Sequence, residues 1–182
     1  GYTGMPVRDI IKNEFHVPVA VENDVNSAAL GELHSGAGVG YPDFLCLTYG
    51  TGVGGCIIIN GQVYSGASFS AGSFGGIVIH PEVKNGTDTL EGCYERCAST
   101  TALVKRAKAV DETLDNGRKI FDAMERPEIK AVIDDWIGDI CTGLVTLTSV
   151  FNPSRIILGG GVMAQSYVLA QIKSRVMAQL SP

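Results

Sequence analysis

The alternation of apolar and polar positions divides the chain into a short series of elements. Gly1-Tyr2-Thr3-Gly4 reads as loop. Val17-Pro18-Val19-Ala20-Val21 is a β-branched run that predicts a buried strand ending in Glu22-Asn23-Asp24. Helical spacing follows from about Asn26 through Leu33, with Asp24 or Asn26 as the cap, and stops near Gly36-Ala37-Gly38. Residues 44–49 and 56–59 are apolar, strand-like runs joined by the loop Gly50-Thr51-Gly52-Val53-Gly54-Gly55. Asn60-Gly61 predicts a type I′ hairpin turn into Gln62-Val63-Tyr64. From about Thr100 the pattern is helical, and Pro127 opens a long helix with Ile133, Ile137, Ile140, Leu144 and Leu147 on one face. Asn152-Pro153 ends it. A strand over 155–158 runs into Gly159-Gly160-Gly161, and a last helix spans about Met163 to Met177, ahead of Leu180-Ser181-Pro182.

Strands and helices interleaved in this way predict one mixed α/β unit. Composition adds three constraints. The 182 residues, 45% hydrophobic, suit one domain or one and a half, long enough to bury roughly 70% of the unfolded surface. A net charge of −5 without a basic cluster offers no footprint for nucleic acid or an anionic membrane, which points to a small-molecule partner. The chain shows no apolar run long enough to span a bilayer and no signal segment. Five cysteines make an odd count, and Cys46, Cys56 and Cys141 lie in apolar segments, so a reducing cytoplasm is the expected location.

Glycine is over-represented at 23 residues, and the surplus gathers where chemistry is expected. The loop 50–55 offers bare backbone amides and the Thr51 hydroxyl, the groups that cradle a phosphate. It has neither the Lys of a Walker A loop nor a following helix, and a tight hairpin without ligand is the alternative. Gly159, Gly160 and Gly161 sit between a strand and a helix, where they serve either a nucleotide at close approach or a plain turn. Asp24, beside Asn23, is either a carboxylate placed to accept a proton or a helix cap. Glu95 is a second candidate carboxylate or an exposed helix charge. Trp136 belongs to core or interface.

In order, these segments are Glu22-Asn23-Asp24-Val25-Asn26 with Ala28-Ala29-Leu30-Gly31-Glu32, Gly50 to Gly55, Asn60-Gly61, Ala71-Gly72, Gly92-Cys93-Tyr94-Glu95 with Ala98-Ser99, and Ile156 to Val162. Together they resemble the ROK family of repressors and sugar kinases over nearly the whole chain. The resemblance implies the actin-like ATPase (ribonuclease H-like) fold, two lobes with sugar in the cleft. Residues 1–24 would be the end of the small lobe and hinge, and 25–182 the large lobe, stopping before the family's last strand and helix. It implies Asp24 as catalytic base, Asn23, Asp24 and Glu95 as sugar contacts, and Gly50, Thr51 and Gly52 with Gly159, Gly160 and Gly161 around ATP and Mg²⁺. A homodimer paired through the large lobe is expected, with no nucleic acid bound by this stretch and no membrane.

Two departures qualify the resemblance. Where the family reads Ala-Gly-Glu-x-Gly-His, this chain has Ala71-Gly72-Ser73-Phe74-Gly75-Gly76, and Gly86 and Asp88 replace two family cysteines. Cys93 alone survives of four zinc ligands, so no zinc is expected, since a structural site needs about four. A set rebuilt from His80, Cys97, Cys93 and Asp88 is the alternative. The substrate the resemblance implies is a hexose or β-glucoside phosphorylated at its 6-hydroxyl, and Ser73 and Gly76 open space near the sugar's anomeric end for a substituent, as in a β-glucoside or disaccharide. The second departure is that no Asp-x-Gly-Gly-Thr loop is present, so the 182-residue chain alone is expected to transfer phosphate poorly or not at all. The sugar-sensing lobe of a ROK repressor is the alternative to a kinase.

Overall fold

The computed structural model describes residues 4–83, 86 and 88–180; the readings at residues 1–3 and at Ser181-Pro182 lie outside them. The two apolar runs become β1 (Phe44–Tyr49) and β2 (Val53–Ile59), antiparallel from Phe44↔Ile58 to Tyr49↔Val53. Only Gly50, Thr51 and Gly52 therefore make the turn, and the loop predicted through Gly55 is corrected. Gly54 lies in the strand opposite Thr48, and it is glycine because α2 (Asp24–Ser35) passes over it: a Cβ there would sit 2.5 Å from Val25 Cγ2. Asn60 (φ 52°) and Gly61 (φ 72°) form the predicted tight turn into β3 (Gln62–Val63). Tyr64 lies beyond that strand. β4 (Arg155–Gly159) pairs parallel to β1, and the sheet order is β3-β2-β1-β4.

Side chains alternate across the sheet, so each strand serves two cores. Leu45, Leu47, Tyr49, Val53 and Ile57 face one side and pack with the helices that follow. Phe44, Cys46, Cys56 and Ile58 face the other, against Val25 and Ala29 of α2. The result is a mixed sheet flanked by helices. All five cysteines are free and buried.

Residues 17–21 are not a strand. A strand persists only where a neighbour completes its hydrogen-bond ladder, and no described strand lies beside this run, whose Val17 and Val21 stay exposed. Ahead of it, α1 (Val7–Phe15) escaped the sequence reading; it buries no residue. The first helix after the run begins at Asp24, and its cap is Asn23 rather than Asp24 or Asn26. Asn23 Oδ1 accepts from Val25 N (2.9 Å) and Asn26 N (3.3 Å).

The C-terminal half supplies the platform beneath the sheet. It contains α3 (Tyr94–Ala98), α4 (Thr100–Val110), α5 (Gly117–Asp122) and α6 (Pro127–Phe151), followed by α7 (Ser166–Leu180). Pro127 begins α6 as predicted, and Asn152 closes it in the left-handed conformation. Ile133, Ile137, Ile140, Leu144 and Leu147 are all buried, each worth roughly 1.5–3 kcal/mol of apolar transfer. Trp136 belongs to this core. It is fully buried, and its Nε1–H donates to Ala98 O (2.9 Å) and Ser99 O (3.1 Å). The single last helix predicted from Met163 is a 3-10 turn over Gly161–Ala164, then α7; Gln165 (ψ 115°) breaks the run.

Candidate functional site

The hairpin turn Gly50-Thr51-Gly52 lies between two clefts and borders both. One, about 700 Å³, is lined by Asn23, Asp24, Glu95, Gly72, Ser73 and Gly160 among others. The second, about 800 Å³, is lined by Thr100, Thr101, Asn116, Arg118, Gly161 and Gln165 with the same turn. Of the residues singled out from sequence, Asn23, Asp24, Glu95, Gly52 and Gly160 meet in the first cleft. Gly50 and Thr51 belong to both, and Gly161 to the second. Gly159 lines neither, being the last residue of β4.

The turn is fixed from behind by α4. Thr100 N donates to Gly50 O (2.9 Å), Thr100 Oγ1 to Tyr49 O (3.2 Å) and Thr101 Oγ1 to Thr51 O (2.9 Å). Ser99 caps that helix through Ala102 N (3.2 Å). These bonds occupy Gly50 O and Thr51 O, and Gly52 O accepts from Gly50 N (3.0 Å), while the N–H groups of Thr51 and Gly52 make no hydrogen bond among the described residues. Two unpaired amides on a fixed glycine turn suit an anionic oxygen.

Glu95 enters from α3 and closes the other side. Its Oε2 accepts from Val53 N (3.3 Å), and a Cβ on Gly52 would lie 2.2 Å from the same oxygen. Gly52 therefore admits the carboxylate to the turn. The helix carrying Glu95 is anchored by Tyr94, whose hydroxyl donates to Ile140 O (2.8 Å) and so accepts from Tyr49 O–H (2.7 Å). Burial raises both phenols. At the opposite wall, Asp24 is the first residue of α2, exposed to the cleft, with Oδ1 accepting from Val25 N (2.9 Å). Glu22 braces this corner, accepting from Asn26 Nδ2 (2.9 Å) and Asn23 N (2.8 Å); those bonds hold its carboxyl below the usual range.

The rim carries the unusual sequence 69–76. Ser73 Oγ donates to Ser70 O (2.8 Å), which turns it into its own loop, and a Cβ on Gly76 would meet nothing within 4 Å. Both positions leave the cleft open. Phe69, unremarked in the sequence, lines the same cleft with φ +59° and 88% of its surface exposed. Of the metal set His80, Cys97, Cys93 and Asp88, only His80 and Cys97 meet in a ligand cluster among the described residues, while Asp88 pairs with Arg96 (3.2 Å).

Comparison with known proteins gives one consistent answer. A sequence model described as the ROK family matches residues 1–181. A beta-glucoside kinase of Listeria monocytogenes is 36% identical over 175 residues, covering 92% of this chain and 58% of the relative. The ROK hexokinase of Thermus thermophilus superposes with a TM-score of 0.87 at 29% identity, over 97% of this chain and 61% of that one. A ROK family glucokinase from Streptomyces griseus, solved with glucose and AMPPNP, gives 0.80 at 34% identity, over 97% and 63%. The chain thus spans less than two thirds of each.

Proposed function

The chain belongs to the ROK family and has the actin-like ATPase fold of its kinases, and from that premise we propose that it forms the catalytic cleft of an ATP-dependent sugar kinase. One observation carries the reading. Two clefts meet at a turn with unpaired amides, and carboxylates of two separate helices, Asp24 and Glu95, border only one of them. A sugar belongs in the cleft that Asp24 and Glu95 share, where hydroxyls find acceptors; of the carboxylates in the other cleft, Asp122 ends α5 and Asp115 is already paired with Lys119 (3.0 Å). A nucleotide belongs in the other, with its terminal phosphates at the turn.

ATP supplies the phosphoryl group and Mg²⁺ the countercharge for its transfer. The turn's observed geometry suits them, with two free N–H donors on the residues that separate the clefts. The chain's own residues would do the rest. The Asp24 carboxylate accepts the proton of the attacking 6-hydroxyl, while the Asn23 side chain, held as helix cap, fixes the neighbouring backbone. Glu95, pinned by Val53 N, receives further sugar hydroxyls. Thr51 and Gly52 N–H steady the phosphate oxygens, and Gly160 and Gly161 flank the path between the clefts.

The open rim favours a sugar substituted at its anomeric carbon. The Ser73 hydroxyl is engaged by Ser70 O, Gly76 leaves space, and Phe69 offers a ring on which an aglycone can stack, so a β-glucoside is the proposed substrate class. The test is Asp24→Asn in the intact protein. The variant is expected to weaken sugar binding only a few-fold, through one lost acceptor, while kcat falls about 10²–10⁴-fold. A variant that keeps kcat within a few-fold of the parent would contradict the role of Asp24.

A further inference from the structure

A second cluster of chemically capable side chains lies outside both clefts. His80 comes from the loop after β3, Cys97 from α3 and Asp139 from the middle of α6. The ligand atoms of these three residues all lie within 4.8 Å of one another. From this geometry we infer that His80, Cys97 and Asp139 form a zinc site, with water in the fourth position.

The donor set is one imidazole nitrogen, one thiolate and one carboxylate oxygen, a mixture that suits zinc rather than calcium or magnesium. Zinc bonds of about 2.0–2.3 Å in tetrahedral geometry space ligand atoms roughly 3.3–3.7 Å apart, inside the 4.8 Å within which all three ligand atoms here lie. His80 Nε2 and Asp139 Oδ1, 2.7 Å apart, separate slightly to admit the ion. Cys97 and Asp139 are buried, while His80 is partly exposed and gives the ion its entry.

The surroundings match those of a metal ligand set. His80 Nδ1 meets Glu82 Oε1 at 2.8 Å, so its N–H is donated to a carboxylate and Nε2 is the nitrogen turned to the cluster. Arg106 Nη2 holds Asp139 Oδ2 and Cys97 O (3.1 Å), leaving Oδ1 for the ion. Without metal, both ring nitrogens of His80 face carboxylates, an arrangement that requires a doubly protonated ring. With metal, Nε2 and the Cys97 thiol each give up a proton to solvent. The site shares no residue with the four family zinc positions. Its third ligand lies 59 residues beyond His80, so spacing along the chain cannot reveal it. An ion there ties the 77–83 loop to α6 and to α3, the helix that carries Glu95.

The test is a cobalt and zinc titration of the metal-stripped protein. The expected result is one ion per chain, with cobalt producing the visible absorption of a tetrahedral centre and a near-ultraviolet thiolate-to-cobalt charge-transfer band. Cys97→Ser removes that band, and His80→Gln weakens binding at least tenfold. Glu82→Gln, acting only through the histidine, weakens it roughly 10–100-fold. His80 and Glu82 lie at the surface, so their variants keep the test usable if Cys97→Ser fails to fold. Absence of a charge-transfer band in the parent protein, a band that survives Cys97→Ser, or binding unaffected by His80→Gln would each overturn the site. Sugar turnover is not a readout here, so this result and that for the kinase reading stand apart.

Discussion

Phe69 holds its backbone at φ +59°, in the left-handed region, which costs a bulky residue roughly 1–3 kcal/mol. A strained ring left in solvent beside a polar cleft gains nothing from burial, so its value lies in what it can touch. Aromatic faces stack on sugar and aryl groups. Phe69→Ala is therefore expected to raise KM for an aryl β-glucoside several-fold and leave that for free glucose unchanged, measured by coupled ADP release. An equal change for both sugars would show that the ring does not meet the aglycone. Sequence could not single out Phe69, since nothing in its neighbours' pattern announces a positive φ. Asn23 shows the converse limit. Its type and position were legible, but its neighbours Asp24 and Asn26 are equally good caps on paper, and only the path of the chain decides among them.

At the scale of elements, the helices that fix the turn are themselves held by a few ion pairs. Arg126, just before α6, donates to Asp111 Oδ2 (2.7 Å) and to Glu128 Oε1 (2.9 Å), fastening the end of α4 to the start of α6. Arg126, with the Thr113 hydroxyl and amide, holds the Asp111 carboxyl down to about 2, from an ordinary 3.8. A carboxyl depressed in the folded state stabilises it above the unfolded value, and that contribution is lost as pH falls through the folded one. Asp111→Asn should therefore lower the thermal midpoint near neutral pH, and the gap to the parent protein should close between about pH 4 and 2. A gap independent of pH would assign the loss to packing instead. Elements with a regular period were legible: β1, α6 and the Asn60-Gly61 turn stand where the pattern put them. Residues 17–21 misled because a β-branched run describes a preference, while a strand also needs a neighbour. Gly54 and Gly55 misled because glycine in a strand that packs beneath a helix looks, in sequence, like glycine in a loop.

For the whole molecule, the sheet works as a partition. Its two faces carry separate cores, and its β1–β2 turn protrudes where the two clefts meet, so the residues that would act on sugar and on nucleotide reach one place from distant parts of the chain. Asn23, Asp24, Thr51 and Glu95 were singled out through the family resemblance, since spacing alone gives Asp24 and Glu95 an equally good structural reading, and the fold brings all four to one cleft. Asp139 was not, because it is one acidic residue inside a long helix, and only its packing against α3 and the 77–83 loop gives it partners. The measurement that bears most directly on the kinase reading is phosphorylation by the intact protein, supplied with ATP and Mg²⁺ and offered glucose and a β-glucoside side by side. Phosphorus NMR and mass spectrometry would identify the product. The proposed function predicts a sugar phosphorylated at its 6-hydroxyl, formed faster from the β-glucoside and slowed about 10²–10⁴-fold by Asp24→Asn. ATP consumption without a phosphorylated sugar, or no reaction with any hexose or β-glucoside, would contradict it.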